Sequence, residues 1–183
     1  MSNRLTVLAG PTAVGKGTIV AYILEHFPDV KLSVSATTRA PRPGEIDGVS
    51  YYFWTHERFD EAIAKGELLE YAVVHGVNKY GTPKAPIEQA LAKDELILLE
   101  IDLQGARQVK KAMPEARLIF IAPPSWDELV RRLKGRGTES EEEQARRLET
   151  ARVEMAAASE FDHVVVNDEV ARCAAKVVNL MKS

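Results

Sequence analysis

The chain has 183 residues, of which 45% are hydrophobic and 28% are charged, and its formal net charge at pH 7 is -3. This length suits one domain with a full hydrophobic core, and the high apolar content with a small net charge excludes a disordered chain. No apolar run approaches the roughly 20 residues of a membrane-spanning helix, and the slightly acidic balance argues against general binding of nucleic acids.

Short apolar runs alternate with helical patterns along the chain. The first run, Leu5–Ala9, ends at a glycine and predicts a buried strand, and a helix over about 16–26 follows it. A second strand is expected over 31–36, before a loop over 39–50 that contains two prolines and two glycines. Later strands are expected over 51–54, 68–74, 96–101, 118–121 and 164–166, and later helices over about 56–65, 83–93, 105–113, 125–134, 140–158 and from residue 169.

Capping signatures mark several of these helix starts. Ser125 and Ser140 are each followed three residues later by a glutamate, which fits a capping box. Thr82 precedes Pro83 in the arrangement of an N-cap with proline at the first helical position, so we expect a helix to begin there.

Uninterrupted apolar strands that alternate with helices indicate a parallel sheet covered on both faces. The sequence has no internal repeat and no linker long enough to separate two domains. We therefore predict one α/β domain over residues 1–183. Its core is expected from about 1–36, 84–134 and 148–183, with two polar excursions near 37–83 and 135–147.

The segment from Gly10 to Lys16 has the spacing of a phosphate-binding loop, and it lies between the first predicted strand and the first predicted helix. Glycines let successive backbone N–H groups converge on an anion, and the helix N-terminus adds partial positive charge. The alternative is a strand–helix turn that binds nothing. The ATP-binding residues expected in and after this loop are Gly10, Pro11, Thr12, Ala13, Val14, Gly15, Lys16, Gly17 and Thr18.

From Thr37 to Phe53 the chain reads TTRAPRPGEIDGVSYYF. Together with the phosphate loop, this stretch strongly resembles the guanylate kinase family, which transfers the γ-phosphoryl group of ATP to GMP. The resemblance implies a P-loop parallel sheet with helices on both faces, a small mixed α/β GMP-binding insert over about 37–83 and a helical lid over about 135–147. It continues in order through 69–72, 80–82, 100–105, 122–125, 135–139 and 166–168, although 76–79 is one residue longer than usual.

By this resemblance, Arg39 and Arg42 bind the GMP phosphate, and guanidiniums suit this role because each can bind a phosphate bidentately. Glu70 is expected to accept hydrogen bonds from guanine N1–H and from the N2 amino group. Without the resemblance, a solvated basic loop and a solvent-facing acid in a strand are the simpler interpretations. The GMP-binding residues that the resemblance implies are Ser35, Arg39, Arg42, Glu45, Tyr51, Glu70, Tyr80, Thr82 and Asp102.

The expected catalytic residues are cations, because phosphoryl transfer requires a protein mainly to position phosphates and stabilise their charge. Lys16 is expected to reach the β- and γ-phosphates. Arg132, Arg136 and Arg147 lie around the segment that the resemblance identifies as a lid over ATP. The resemblance around 166–168 adds Asn167 to the ATP-binding residues. For each arginine alone, the alternative is a charged, solvent-facing helix surface.

Mg²⁺ is the expected cofactor, with ATP as the phosphoryl donor. Gly17 lies where the motif usually has a serine or threonine that ligates magnesium, and Thr18 supplies a hydroxyl one position later, expected near the α-phosphate. The metal is therefore expected to depend more on water and carboxylates. Glu100 and Asp102 end the strongest apolar run, at the expected carboxyl edge of the sheet, and either organise Mg²⁺ or help to read the base. An N-cap of the following helix is a further alternative for Asp102.

The leading hypothesis is reversible, ATP-dependent phosphorylation of GMP and dGMP to GDP and dGDP in purine nucleotide metabolism. A P-loop kinase with another small acceptor, such as AMP, dTMP or shikimate, is the second hypothesis, and the acceptor signature argues against it. A guanylate-kinase-like peptide-binding module is the third. Such modules typically lack an intact ATP loop, whereas Gly10, Gly15 and Lys16 are present here.

The expected partners are therefore ATP and GMP or dGMP, with no nucleic acid and no membrane. We expect a monomer or a small homo-oligomer. The single cysteine, Cys173, cannot form an internal disulfide, which suits a cytoplasmic protein.

Overall fold

The computed structural model describes residues 4–74, 76–134 and 140–183. The strands are β1 (Leu5–Ala9), β2 (Val30–Leu32), β3 (Ala36–Thr37), β4 (Tyr52–Phe53), β5 (Leu68–Val74), β6 (Asn78–Pro83), β7 (Leu96–Glu100), β8 (Arg117–Ala122) and β9 (His163–Val166). The helices are α1 (Lys16–His26), α2 (His56–Ala64), α3 (Lys84–Ala92), α4 (Leu103–Ala112), α5 (Trp126–Lys134), α6 (Glu141–Ala156) and α7 (Val170–Lys182), and a short 3₁₀ helix covers Ala157–Glu160.

The main sheet holds five of the described strands in the order β2-β7-β1-β8-β9, and each neighbouring pair is parallel. Every residue of the central strand β1 is buried, which explains its continuous apolar sequence. Because parallel strands end at the same edge, the phosphate loop after β1 lies beside the end of β7.

Helices cover both faces of this sheet. Successive side chains of β1 alternate between two hydrophobic clusters: Leu8 packs with Ile19 of α1 and Val177 of α7, whereas Val7 packs with Val109 of α4. The predicted α/β fold with a parallel sheet covered on both faces is therefore confirmed.

A second, smaller sheet has the order β4-β3-β6-β5. Its strands are mixed in direction: β3 and β4 are parallel, whereas β6 is antiparallel to both β3 and β5. Helix α2 packs Phe59 and Ala62 into a small cluster with Ala36 and Leu68. The register between β5 and β6 shifts between Leu68 and Glu70, which marks a bulge or irregularity just before Glu70.

The predicted strand over 31–36 is wrong as one element, because the chain changes sheets within it. Ser33 N–H still donates to Leu98 of the main sheet at 2.9 Å, whereas the Ser35 carbonyl accepts from Tyr52 N–H of the second sheet at 2.9 Å. The side chains alternate similarly on both sides of this crossing, so the sequence pattern gives no sign of it.

The predicted N-cap at Thr82 is also wrong, and a strand over this region was not predicted. Thr82 lies in β6, and α3 begins at Lys84 with Pro83 at its N-cap position. The Thr82 hydroxyl donates to Glu70 Oε1 at 2.6 Å instead of capping a helix. β6 contains a glycine and alternates poorly, so its position between two strands is a tertiary effect.

Several local predictions are confirmed. Ser140 forms a complete capping box at the start of α6, Ser125 Oγ accepts from the Glu128 N–H, and Asp102 is the N-cap of α4. In the described part of the chain, no helix combines the length and the apolar character that crossing a membrane requires.

Candidate active site

The phosphate loop connects β1 to α1, and two of its glycines are required by their surroundings. A Cβ atom at Gly10 would lie 2.4 Å from the Ile121 carbonyl oxygen, so no side chain fits there. Gly15 has φ 98°, a left-handed conformation that favours glycine, and it is the N-cap residue of α1. Gly17 and Thr18 follow in the first turn of α1.

Lys16 lies over the loop, with its ammonium group turned towards backbone oxygens. Its Nζ donates to the Gly10 carbonyl at 2.6 Å and contacts the Pro11 carbonyl at 3.4 Å. Burial lowers the pKa of Lys16, and the nearby carboxylates of Glu154, Glu100 and Asp102 oppose that change. The predicted carboxylates at and just after the end of β7 are thus close enough to the loop lysine to influence its charge.

Glu154 is a member of this site that sequence reasoning missed. It lies on α6, and its Oε2 accepts a hydrogen bond from the Thr12 N–H of the loop at 3.2 Å. Burial raises the pKa of Glu154, while the Thr12 hydrogen bond and the Lys16 charge oppose that rise. A carboxylate therefore occupies one backbone donor of a loop suited to phosphate.

The other side of the loop contacts Asn167 and Arg132. Asn167 Nδ2 donates to the Val14 carbonyl at 2.8 Å, and Arg132 also donates to it, at 3.2 Å. Arg132 is oriented by Glu128, whose Oε1 accepts from its Nε at 2.8 Å. A cavity of about 260 Å³ opens here, and its lining includes Ala13, Gly15, Thr18, Arg132, Asn167 and Asp168.

A second cleft, of about 190 Å³, lies along β5 and at the end of β7. It brings together residues from distant parts of the sequence. Ser35, Tyr51, Glu70, Tyr80 and Asp102, all predicted to bind GMP, line it together with Glu100.

Glu70 is the buried carboxylate of this cleft, with 7% of its surface exposed. Burial raises its pKa, the hydrogen bond from Thr82 opposes the rise, and the charge of Asp102 adds to it. Asp102 Oδ1 accepts from the Gly105 N–H at 2.7 Å, so both carboxylates lie beside the first turn of α4. The cleft therefore presents acidic hydrogen-bond acceptors in a partly desolvated place.

Arg39 forms the basic end of the same region. Glu45 binds its guanidinium through two hydrogen bonds of 2.9 Å, and the Tyr80 hydroxyl accepts from its Nε at 3.2 Å. The guanidinium lies 5.5 Å from the centre of the Tyr51 ring. The hydrogen bonds from Arg39, and one from the Arg42 N–H, lower the pKa of Glu45 to about 2, and the Arg42 side chain is exposed on the same loop.

The sequence model of the guanylate kinase family matches residues 2–183. The chain belongs to the guanylate kinase family. The guanylate kinase of Leifsonia xyli subsp. xyli is 67% identical over 179 residues, which cover 98% of this chain and 70% of the relative. The guanylate kinase of Nocardia farcinica is 59% identical over 182 residues, which cover 99% of this chain and 94% of the relative.

Solved structures agree with this membership of the guanylate kinase family. The crystal structure of guanylate kinase from Anaplasma phagocytophilum superimposes with a TM-score of 0.75 at 34% identity, covering 100% of this chain and 86% of that one. A shikimate kinase from Bacteroides thetaiotaomicron reaches a TM-score of 0.52 at 12% identity, covering 97% of this chain and 98% of that one, and so shares the fold alone.

The remaining predicted arginines of this guanylate kinase family member, Arg136 and Arg147, lie within the second excursion. Arg136 lies outside the described residues. Arg147 is half-buried on α6, two turns before Glu154. The same helix therefore carries a predicted catalytic cation and the carboxylate that contacts the phosphate loop.

Proposed function

We propose that the chain transfers the γ-phosphoryl group of ATP to GMP and dGMP, forming GDP and dGDP in a reversible reaction. Membership of the guanylate kinase family supports this activity. The observation that supports GMP as the acceptor is the buried carboxylate of Glu70. It accepts a hydrogen bond from Thr82 and lies beside Asp102, in a cleft next to the phosphate loop.

On the donor side, the phosphate loop offers its backbone N–H groups and the N-terminus of α1 to the phosphates of ATP. Lys16 exchanges its carbonyl partners for the β- and γ-phosphates. The cavity beside Asn167 and Arg132 adjoins the loop and accommodates the rest of the nucleotide.

On the acceptor side, the Glu70 carboxylate accepts from guanine N1–H and the N2 amino group. Adenine presents an acceptor at N1 and has no N2 amino group, so AMP leaves a desolvated carboxylate unpaired. Arg39 and Arg42 bind the GMP phosphate, and Glu45 holds the Arg39 guanidinium in place for it.

In the transfer step, a phosphate oxygen of GMP attacks the γ-phosphorus, and the bond to the β–γ bridging oxygen of ATP breaks, so that ADP leaves with that electron pair. The protein supplies positioning and positive charge. Lys16, Arg132 and Arg147 are the described residues proposed for this role, and Arg136 is proposed with them.

Mg²⁺ is the cofactor that we propose to enter with ATP, where it neutralises phosphate charge. The described residues contain no cluster of three or more potential metal ligands. Glu100 is half-buried near Lys16, and Asp102 Oδ1 already accepts from Gly105. These residues suit a cation that is bound mainly by phosphates and water, with Glu100 and Asp102 as its outer carboxylates.

We also propose that the protein works in the cytoplasm as a monomer or a small homo-oligomer, on these small molecules and not on nucleic acid. The buried, unpaired Cys173 suits a reducing compartment. The peptide-binding alternative is not favoured, because the phosphate loop has the residues and backbone conformation that phosphates require.

A coupled ADP-release assay across GMP, dGMP, AMP, CMP, UMP and dTMP tests the proposal. We expect turnover with GMP and dGMP and at least roughly 10⁴-fold lower kcat/KM with AMP. Comparable turnover with AMP or a pyrimidine nucleotide would contradict it.

A further inference from the structure

Gln108 of helix α4 pairs with the strand that carries Glu70. Strand β5 lies at an edge of the second sheet, so one row of its backbone groups has no neighbouring strand to pair with. At Tyr71, the residue after Glu70, Gln108 takes the place of that strand. The Tyr71 N–H donates to Gln108 Oε1 at 3.2 Å, and Gln108 Nε2 donates to the Tyr71 carbonyl at 3.1 Å.

A second close approach between α4 and β5 lies one helical turn earlier, at Gly105. A Cβ atom there would be 3.1 Å from Glu70 Oε2 and 3.3 Å from Asp102 Oδ1. Gly105 and Gln108 are three residues apart and therefore share one face of α4. This face meets β5 at Glu70 and again at Tyr71.

The pairing between β5 and β6 does not by itself fix the direction of Glu70. The register shifts between Leu68 and Glu70, and irregularities of this kind re-aim the side chains next to them. A small rotation of β5 at this point moves the Glu70 carboxylate relative to Thr82 and Asp102. After the irregularity, β6 pairs with β5 on one side through Glu70 and Tyr71, and the amide pair of Gln108 with Tyr71 holds β5 from the other side.

We propose that Gln108 is a positioning residue for guanine recognition, because its amide pair with Tyr71 holds β5 against α4 with Glu70 facing the cleft beside Asp102. This inference rests on the proposed function, since it takes Glu70 as the residue that binds the guanine donor edge. Gln108 is partly exposed and is not among the residues that line the cleft, so it acts on the nucleotide only through β5.

The test compares wild type with Gln108→Met, Gln108→Glu and Gln89→Met. Methionine keeps the length of the side chain and removes both hydrogen bonds, whereas glutamate keeps the acceptor for Tyr71 N–H and loses the donor. Gln89 is an exposed glutamine on α3 and serves as the matched control. The acceptors are GMP and IMP, because IMP retains N1–H but lacks the N2 amino group.

In Gln108→Met we expect KM for GMP to rise at least roughly 5-fold, and the GMP-to-IMP ratio of kcat/KM to fall by a similar factor. KM for ATP should stay within about twofold, because the phosphate loop is a separate site. The Tyr71 amide should exchange faster with deuterium. Gln108→Glu should change in the same direction, and Gln89→Met should match wild type.

An unchanged KM for GMP with an unchanged GMP-to-IMP ratio would overturn the inference, and so would equal rises in KM for GMP and ATP with a lower Tm. If Gln108→Met does not fold, Gln108→Glu decides by the same criteria. A wild type that does not phosphorylate GMP contradicts the proposed function itself. Glu70→Gln is measured with the same two acceptors, and an unchanged GMP-to-IMP ratio in this variant overturns the role of Glu70 and the inference with it.

Discussion

At the scale of single residues, Gly17 is the difference between this phosphate loop and the usual motif. The difference is a missing hydroxyl group and not a lack of room for a side chain. A Cβ atom at Gly17 would meet no heavy atom within 4 Å, and its φ does not lie in the left-handed range. The position therefore accepts a side chain. What the loop lacks is the hydroxyl that ordinarily ligates magnesium.

Gly17→Ser is expected to lower the Mg²⁺ concentration for half-maximal turnover, because its hydroxyl adds an oxygen ligand beside the phosphates. Gly17→Ala is the matched control. Gly17→Ala should raise Tm by about 1–4 °C, since glycine weakens a helix by roughly 0.5–1 kcal/mol relative to alanine. Gly17→Ser should raise Tm by less, because serine is a weaker helix former than alanine. Magnesium titrations at fixed ATP and thermal melts measure the two effects. The same Mg²⁺ requirement in both variants would show that the hydroxyl does not reach the metal.

Glu70→Gln is expected to reduce kcat/KM for GMP strongly and to narrow the roughly 10⁴-fold preference over AMP. The amide presents a donor where guanine also has donors, while Arg39 and Arg42 still bind the phosphate. Steady-state kinetics with both nucleotides, and circular dichroism to check folding, measure the change. An unchanged GMP-to-AMP ratio would move guanine recognition to Ser35, Thr82 or Asp102.

The pH dependence follows from the burial of Glu70, which raises its pKa above the usual 4.5. The protonated form suits the folded state, so this contribution to stability is present at low pH and is lost as the pH rises through the raised pKa. Guanine binding needs the ionised form. The kcat/KM for GMP should therefore fall on acidification at a higher pH than for an ordinary glutamate.

Glu70→Gln distinguishes the source of this acid limb in the pH–rate profile. Burial also raises the pKa values of Glu100 and Glu154, and both remain in the variant. Loss of the limb in Glu70→Gln would assign it to Glu70. A profile identical to wild type would show that the limb does not come from Glu70.

At the scale of elements, α6 reaches the phosphate loop from the side of the second excursion. Its Glu154 accepts from the Thr12 N–H, a donor that a phosphate also requires. In the proposed mode of ATP binding, a phosphate therefore brings like charge towards this carboxylate. Because Arg147 lies on the same helix, we expect a displacement of Glu154 to move this proposed catalytic cation as well.

Glu154→Gln should bind ADP roughly 3- to 10-fold more tightly than wild type, because a neutral amide removes repulsion from the phosphates. Glu149→Gln, an exposed change on the same helix, is the control and should leave affinity unchanged. Isothermal titration calorimetry measures both. Weaker ADP binding in Glu154→Gln would mean that the carboxylate supports the loop while nucleotide is bound.

Some elements could be predicted from the sequence, and others could not. α1 and the capping box of α6 follow from local chemistry, so Lys16–His26 and Ser140 were predicted correctly. The sheet crossing near Ser33 and the pairing of β6 are long-range effects that no local pattern encodes. Sequence reasoning missed Glu154 for the same reason, since it meets Thr12 across 142 residues of chain.

The candidate site was easier to predict than the sheet crossing and the pairing of β6, because the family resemblance identifies residues that are distant in sequence and close in the fold. Ser35, Tyr51, Glu70, Tyr80 and Asp102 line one cleft, as their shared prediction required. Their roles in binding remain predictions. The role of Gln108 could not be predicted from the sequence, because its side chain binds the backbone N–H and carbonyl of Tyr71. Every residue has these backbone groups, so no pattern of residue types indicates the contact.

At the scale of the whole molecule, the two sheets have cores of very different size. The cluster behind the second sheet consists of Ala36, Phe59, Ala62 and Leu68 with a few partly buried neighbours, whereas both faces of the main sheet carry larger clusters. Regions with few buried apolar contacts open at lower free energy. The second sheet should therefore open before the main one.

Phe59→Ala should weaken GMP binding severely and leave ADP binding nearly unchanged, because removing a buried phenyl ring costs roughly 3–5 kcal/mol. Phe59 is 0% exposed in the small cluster. Phe120→Ala, at a residue 1% exposed in β8, is the matched control and should lower Tm for the whole protein. Hydrogen exchange by mass spectrometry locates the opening. Equal loss of both nucleotides in Phe59→Ala would show that the sheets unfold together.

The crossing out of the main sheet lies beside the place where the chain returns. Ser33 and Val34 line the same cavity as Pro86 and Ile87. A segment whose two ends meet in this way behaves as an insertion, and insertions of this kind are tolerated because the surrounding sheet keeps its strand order. We therefore expect changes of length in the exposed loop of this segment, over 39–50, to leave the strand order of the main sheet unchanged, whereas changes in β5 would also affect α4, which contacts it at Glu70 and Tyr71. In the proposed function, most of the residues that select the acceptor lie on this one excursion from the main sheet, and Asp102 meets them from the main sheet's own edge. A change of acceptor would therefore require matched changes on both sides of the cleft.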